Sequence, residues 1–132
     1  MPGGCLDDLI IACDGSENHV ARIAHNILSG RYVYGPRKWF VKIDNVWCND
    51  MDALTLRRDL SASVRESIIK VANAVGARSI DADDEFEAKR YNKMSDRLHN
   101  IAFKLGQAKF KSAVIGEMRE YFYSKDFVVS VH

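Results

Sequence analysis

Leu56, Leu60, Val64, Ile68, Val71 and Val75 recur at steps of four, four, four, three and four. This spacing predicts a helix with a single apolar stripe, stopped by Gly76. Tyr91, Met94, Leu98, Ile101, Ala102 and Leu105 mark a second stripe that closes near Gly106. Its helix opens in "SIDADDEFEAKR", with Asp81 or Asp83 as cap and further acids in the first turn, where the helix dipole favours them. A third helix is expected from Ala108 to Phe122, with Phe110, Val114, Ile115, Met118 and Phe122 inward. Near the N-terminus, Met1–Gly4 reads as loose and Leu6 to Ala12 as a short helix. Ser16, followed at once by Glu17, caps the next one. Val20, Ile23, Ala24, Ile27 and Leu28 form its stripe, and Gly30 ends it.

Between these helices the period changes. Tyr32 to Tyr34 predicts a strand, and Gly35-Pro36 a turn. Trp39 to Ile43 is rich in aromatic and β-branched residues, as strands are. Asp44-Asn45 suits a two-residue hairpin loop, because both residues tolerate positive φ. Val46-Trp47-Cys48 returns. Alternation puts Trp39, Val41 and Ile43 on one face, with Phe40 and Lys42 on the other. Both tryptophans, Trp39 and Trp47, are expected to pack the hairpin onto the helices, since tryptophan buries a large area. The final "VVSVH" is a terminal strand or a cut end. The fold expected is mainly α, in the α+β class: a small helical domain of about five helices with one β-hairpin. It forms a single domain over residues 1–132, with a helix and aromatic hairpin at 18–50 and a three-helix bundle at 51–127.

Composition narrows the class. Of the 132 residues, 47% are hydrophobic and 28% charged, which argues against disorder and supports a real core. No run has the length of a membrane span, and "LDDLIIAC" lacks a basic flank and is too short and acidic for a signal peptide. An intracellular protein without a membrane partner is expected. Cys5, Cys13 and Cys48 are odd in number and widely spaced, which suits free thiols in a reducing compartment. A zinc site from Cys5, Cys13 and His19 or His25 lacks the close cysteine pair such sites use.

The net charge of +1 conceals segregation. Met1–Gly30 carries −3, Arg31–Cys48 +3, Gly76–Glu87 −4 and Ala88–Ser112 +6. On the second long helix, Lys89, Lys93, Arg97 and Lys104 fall on one face, with Arg90 beside them. Such a row is either a solvated helix face or a surface for backbone phosphates. On the hairpin, Arg31, Arg37, Lys38 and Lys42 are candidate phosphate ligands, and Phe40 is a candidate for stacking a base.

Catalytic signatures are missing. The sequence has no G-x-x-x-x-G-K-[ST], G-x-S-x-G, H-E-x-x-H or C-x-x-C. The acids Asp81, Asp83 and Asp84 could form a two-metal nuclease centre, but they open a helix, where caps and dipoles already account for them. His19, His25, His99 and His132 are scattered. No cofactor, metal or enzymatic activity is expected of this chain.

Several of these segments in order resemble a known arrangement. They are Val20-Ala21, Tyr32-Val33-Tyr34, Trp39-Phe40, Asp44-Asn45, Trp47, Leu56-Arg57 and Ser61, and then "FKSAVIGEMREYFYSKDF" from Phe110 to Phe127. From about Asn18 to Phe127 the chain resembles the segment that precedes the superfamily 3 helicase domain in poxvirus-type primase–helicases of large DNA viruses and some phages. The resemblance implies a helical collar between an N-terminal primase and a C-terminal ATPase motor, helping subunits form a ring around DNA. The ATPase motifs would lie in the following domain. The chain would be an excised domain of such a protein or a stand-alone relative. The expected role is therefore a non-catalytic module of DNA replication that binds single-stranded or forked DNA, or neighbouring helicase–primase subunits, at sites of viral replication. The alternative is a protein–protein interaction module without nucleic-acid binding, in which the same aromatics anchor a partner.

Overall fold

Ser16 accepts a hydrogen bond from the backbone N–H of His19 at 3.3 Å and starts α2 (Glu17–Leu28), as its place before Glu17 predicts. The computed structural model describes residues 2–127, with side chains from residue 6 onward. The expected strand at "VVSVH" lies outside the described residues, as does the side chain of Cys5. Ahead of Ser16, α1 (Pro2–Ile11) begins earlier than the apolar pattern indicates. Proline is tolerated in a first helical turn, where its missing N–H has no partner to lose.

After α2 the chain forms a three-stranded antiparallel meander of β1 (Tyr32–Gly35), β2 (Lys38–Ile43) and β3 (Val46–Asn49). Pro36-Arg37 makes the first turn, with Arg37 at φ 65°. Asp44 and Asn45 make the second at φ 50° and 64°, as hairpin chemistry anticipates. The register pairs Tyr34 with Trp39, Tyr32 with Val41 and Val41 with Cys48, so these residues share the face turned to the helices. Trp39 and Val41 are buried there. Ile43 is not: it is 47% exposed, because β2 runs past the rim of the helical layer.

Asp50 joins the sheet to the helices. Its N–H donates to the Trp39 carbonyl at 2.8 Å, and its carboxylate accepts from the N–H groups of Thr55 and Leu56 at 2.9 and 3.0 Å. The intervening corner puts Asp52 and Ala53 in the left-handed region, at φ 56° and 53°. That geometry costs a non-glycine residue roughly 1–2 kcal/mol. A buried carboxylate holding two otherwise unpaired helix N–H groups offsets that cost.

Helix α3 (Leu54–Asp59) then passes through a π turn (Leu60–Val64) into α4 (Arg65–Ile80). All six residues of the apolar stripe from Leu56 to Val75 are buried. Three consecutive steps of four would drift roughly 120° around a regular α-helix. The wider i→i+5 turn takes up that drift and keeps the stripe on the core. Ser61, inside it, donates to the Leu105 carbonyl at 3.0 Å and so satisfies the end of the facing helix.

Gly76 does not stop this helix, which continues to Ile80. A Cβ at Gly76 would lie 3.0 Å from Ser95 Oγ, and Ser95 donates to the Ala72 carbonyl at 2.9 Å. The glycine lets α5 (Glu85–Lys104) approach α4 closely. The cap of α5 is Asp84, accepting from Glu87 N–H at 2.7 Å, rather than Asp81 or Asp83. Asp81 instead ends the lengthened α4. Helix α6 (Ala108–Phe122) follows its expected bounds and packs along α2, with His25 edge-on to Phe122 at 4.9 Å. Val114, Ile115, Met118 and Phe122 are buried, and Phe110 is partly so. One continuous cluster of buried side chains draws on all six helices and on β1 and β2. The architecture is mainly helical, α+β, with a single antiparallel sheet. No helix among the described residues is long and apolar enough to cross a membrane.

Tyr32 ties β1 to α3. Its hydroxyl donates to Asp59 Oδ2 at 2.5 Å, and Arg31 pairs with the same oxygen at 3.2 Å. Burial, and then the Asp59 carboxylate, push the Tyr32 phenol well above its ordinary range. A phenol held protonated in the folded state stabilises fully below its unfolded pKa of about 10, and that stability is lost as pH rises further. The urea stability of Tyr32→Phe should lie about 1–2 kcal/mol below wild type at pH 8, and the gap should shrink above pH ~10. A gap constant to pH ~11 would contradict this coupling. Asp50→Ala should cost about 2–3 kcal/mol by the same measurement, through two stranded helix N–H groups. Wild-type stability in that variant would remove Asp50 as the joint.

Candidate nucleic-acid interface

The meander's two faces have different fates. Trp39 lies between Tyr34 and Phe122, at ring-centroid distances of 5.1 and 5.6 Å. Trp47, expected beside it, faces the other way. Register places Trp47 opposite Lys42, on the side of Phe40 rather than Trp39. There the chain leaving α6 returns over the sheet. Tyr123 bridges to Tyr34 in parallel, and the Ser124 N–H donates to the Tyr34 carbonyl at 3.1 Å. A turn then brings Phe127 to 5.1 Å from Phe40 and 5.3 Å from Trp47. Gly35 leaves room for it: a Cβ there would meet Phe40 at 3.2 Å and Phe127 at 3.3 Å. Phe40 is therefore half-buried beneath another ring and is not free to stack a base. Lys42 lies over Trp47 at 5.7 Å.

The candidate cations divide into three groups. Arg31 is held by Asp59. On α5, Arg97 donates to the Ile11 carbonyl at 2.7 Å, closing the end of α1. Lys104 lies over Phe110 at 5.1 Å and Arg90 over Tyr91 at 5.4 Å. Lys89 and Lys93 are exposed without such engagement, while the other three members of that row each make one contact within the fold. Arg97 and Lys104 are diverted because the flank of a helix beside its apolar stripe is also where neighbouring elements end.

Arg37 and Lys38 form the third group, and the fold brings them company. They line a cleft of about 460 Å³ together with Arg57 of α3 and Arg119 of α6. Sequence spacing gives no sign of these last two. Arg57 sits in "LTLRRDL" and Arg119 in "GEMREYF", each beside an apolar stripe, and neither is near Arg37 along the chain. Arg57 donates to Ser112 Oγ and the Ala108 carbonyl at 2.9 and 3.0 Å, which fixes its guanidinium and leaves further N–H groups unused. Arg119 lies over the Tyr34 ring at 5.3 Å. The corner Asp50–Ala53 closes the cleft, and Trp39 forms part of its wall. The Trp39 indole N–H is buried with no acceptor.

Three residues bordering this cleft, Arg37, Asp52 and Ala53, have left-handed backbones without being glycine. Strain of this kind concentrates at functional sites. The cleft offers positive charge and fixed donors, which suit an anion. It presents no nucleophile–base pair. The Cys13 thiol is buried elsewhere and pushed up by that burial, and His19 Nδ1 accepts from Asp14 N–H at 3.2 Å. Among the described residues no group of three or more His, Cys, Asp or Glu side chains is placed to hold a metal ion. No protein-family model, curated protein or solved structure matches the chain.

Phe127→Ala should open the outer face of the sheet. We expect a red shift of Trp47 emission and a loss of about 1–2 kcal/mol in stability. Unchanged emission would mean that Phe127 does not cover Trp47.

Proposed function

We propose that this chain is a non-catalytic, collar-like module of a viral replicative primase–helicase, and that it binds DNA through the phosphate backbone. The observation that carries the DNA reading is the convergence of Arg37, Lys38, Arg57 and Arg119 on one cleft from the first hairpin turn, α3 and α6. Cations on separate rigid elements hold a charged strand in a defined position, whereas a row on one helix face is more often simply solvated. The strained Arg37 supports the same reading, because glycine at that turn position would avoid the cost. The family resemblance of residues 18–127 supplies the replicative context. Lys89 and Lys93 add a weaker basic surface on α5.

A protein–protein role is favoured by a different feature. Ile80 and Phe86, at the turn between α4 and α5, are 84% and 81% exposed. Large apolar side chains clustered at one tip suit contact with a neighbouring subunit. The two roles are compatible within a ring-forming collar.

Fluorescence anisotropy with labelled single- and double-stranded oligonucleotides at two salt concentrations tests the first reading. Contact with three or four phosphates should give a log–log salt slope of roughly −2 to −3 for a single strand. Lys38→Glu with Arg119→Glu should weaken binding more than Lys89→Glu with Lys93→Glu, with little change in melting temperature for either pair. Absent or salt-insensitive binding would refute the backbone role.

A further inference from the structure

The cleft carries more information than a basic patch does. Its four cations face two carboxylates, Asp50 and Asp52, leaving an excess of two positive charges. Both Asp50 oxygens are already occupied by backbone N–H groups, so its charge enters this balance without a direct ion pair to the arginines. Behind the cations stands Trp39, 6% exposed, with its indole N–H buried and unpaired. A buried donor without an acceptor costs roughly 1–3 kcal/mol, and Trp N–H groups in protein interiors usually find a partner. Arg57, fixed by Ser112 and the Ala108 carbonyl, and Arg119, laid on Tyr34, are already positioned.

We infer that the cleft is a site for a phosphate monoester, with Arg57 and Arg119 as its charged clamp and Trp39 as part of its inner wall. This rests on the phosphate-binding reading above and narrows it. A monoester at pH 7 carries about −1.5 to −2 charge and three acceptor oxygens. It matches the excess of two positive charges, whereas an internal phosphodiester carries a single negative charge. The hairpin turn, the left-handed corner and α6 border the cleft, whose mouth is open to solvent. The monoester comes from the phosphorylated end of a nucleic-acid strand or from a free nucleotide. Tyr34, half-buried at the cleft wall beneath Arg119, offers an aromatic edge to the attached sugar or base.

The test uses the full chain and one oligonucleotide sequence in three forms: phosphorylated at the 5′ end, phosphorylated at the 3′ end, and bearing hydroxyls at both. At least one phosphorylated form should bind roughly tenfold or more tightly than the hydroxyl form. That preference should fade below pH ~6, as the monoester takes up a proton. Arg119→Gln, an exposed position, should abolish the preference while keeping the wild-type melting temperature. In a Trp47→Phe background the single remaining indole N–H resonance should shift when inorganic phosphate is added. Competition by a nucleoside monophosphate at comparable concentration identifies a free nucleotide as the source, and its failure identifies the strand end; both support the site. Equal binding of all three oligonucleotides overturns the monoester site and leaves the backbone reading standing. Failure to bind any of them, with an unmoved indole resonance, overturns both.

Discussion

Asp50 is the residue on which the arrangement turns. One short side chain caps α3 twice, and the backbone of the same residue continues the hydrogen bonding of the sheet at Trp39. Buried carboxylates are costly unless fully partnered, and this one is partnered by helix N–H groups that would otherwise be stranded. The two needs cancel. The chain can therefore turn from strand to helix through two left-handed residues, Asp52 and Ala53, without glycine. That abrupt corner sets the hairpin against α3 and α6 and leaves the cleft between them.

The sheet shows how a small domain uses both faces of a meander. Its inner face places Trp39 and Val41 in the common core. The outer face would expose Phe40 and Trp47, and the segment after α6 covers them with Phe127. The aromatic density of "RYVYGPRKWFVKIDNVWCND" is thus spent mostly on packing, on two sides at once. What remains available to a ligand is positive charge: Arg37 and Lys38 at the first turn.

Much of the fold was legible in the chain. Ser16 as a cap, Asp44-Asn45 as a hairpin loop, the bounds of α6 and the buried stripe from Leu56 to Val75 follow from residue type and spacing alone. The π turn was present as a signal too: three consecutive steps of four exceed what a regular helix keeps on one face. Gly76 misled because glycine has two uses. It ends helices, and it also admits a neighbouring helix, and only the presence of Ser95 opposite it distinguishes the two. Asp81 and Asp83 were displaced as caps by Asp84 because α4 ran on past that glycine. Of the ten candidate site residues, Arg37 and Lys38 reach the cleft, while Arg31, Arg97 and Lys104 have other engagements.

The sequence by itself determined the elements and the sign of their surfaces. Helix periodicity, capping and turn chemistry act over a few neighbouring residues, and those residues are adjacent in the chain. Tertiary structure alone decided that Arg57 and Arg119 stand beside Arg37, that Trp47 lies under Phe127, and that the Trp39 N–H is left without a partner. These outcomes depend on which surfaces fit together when one core is closed. Close packing couples residues far apart in the chain, and no local rule carries that information.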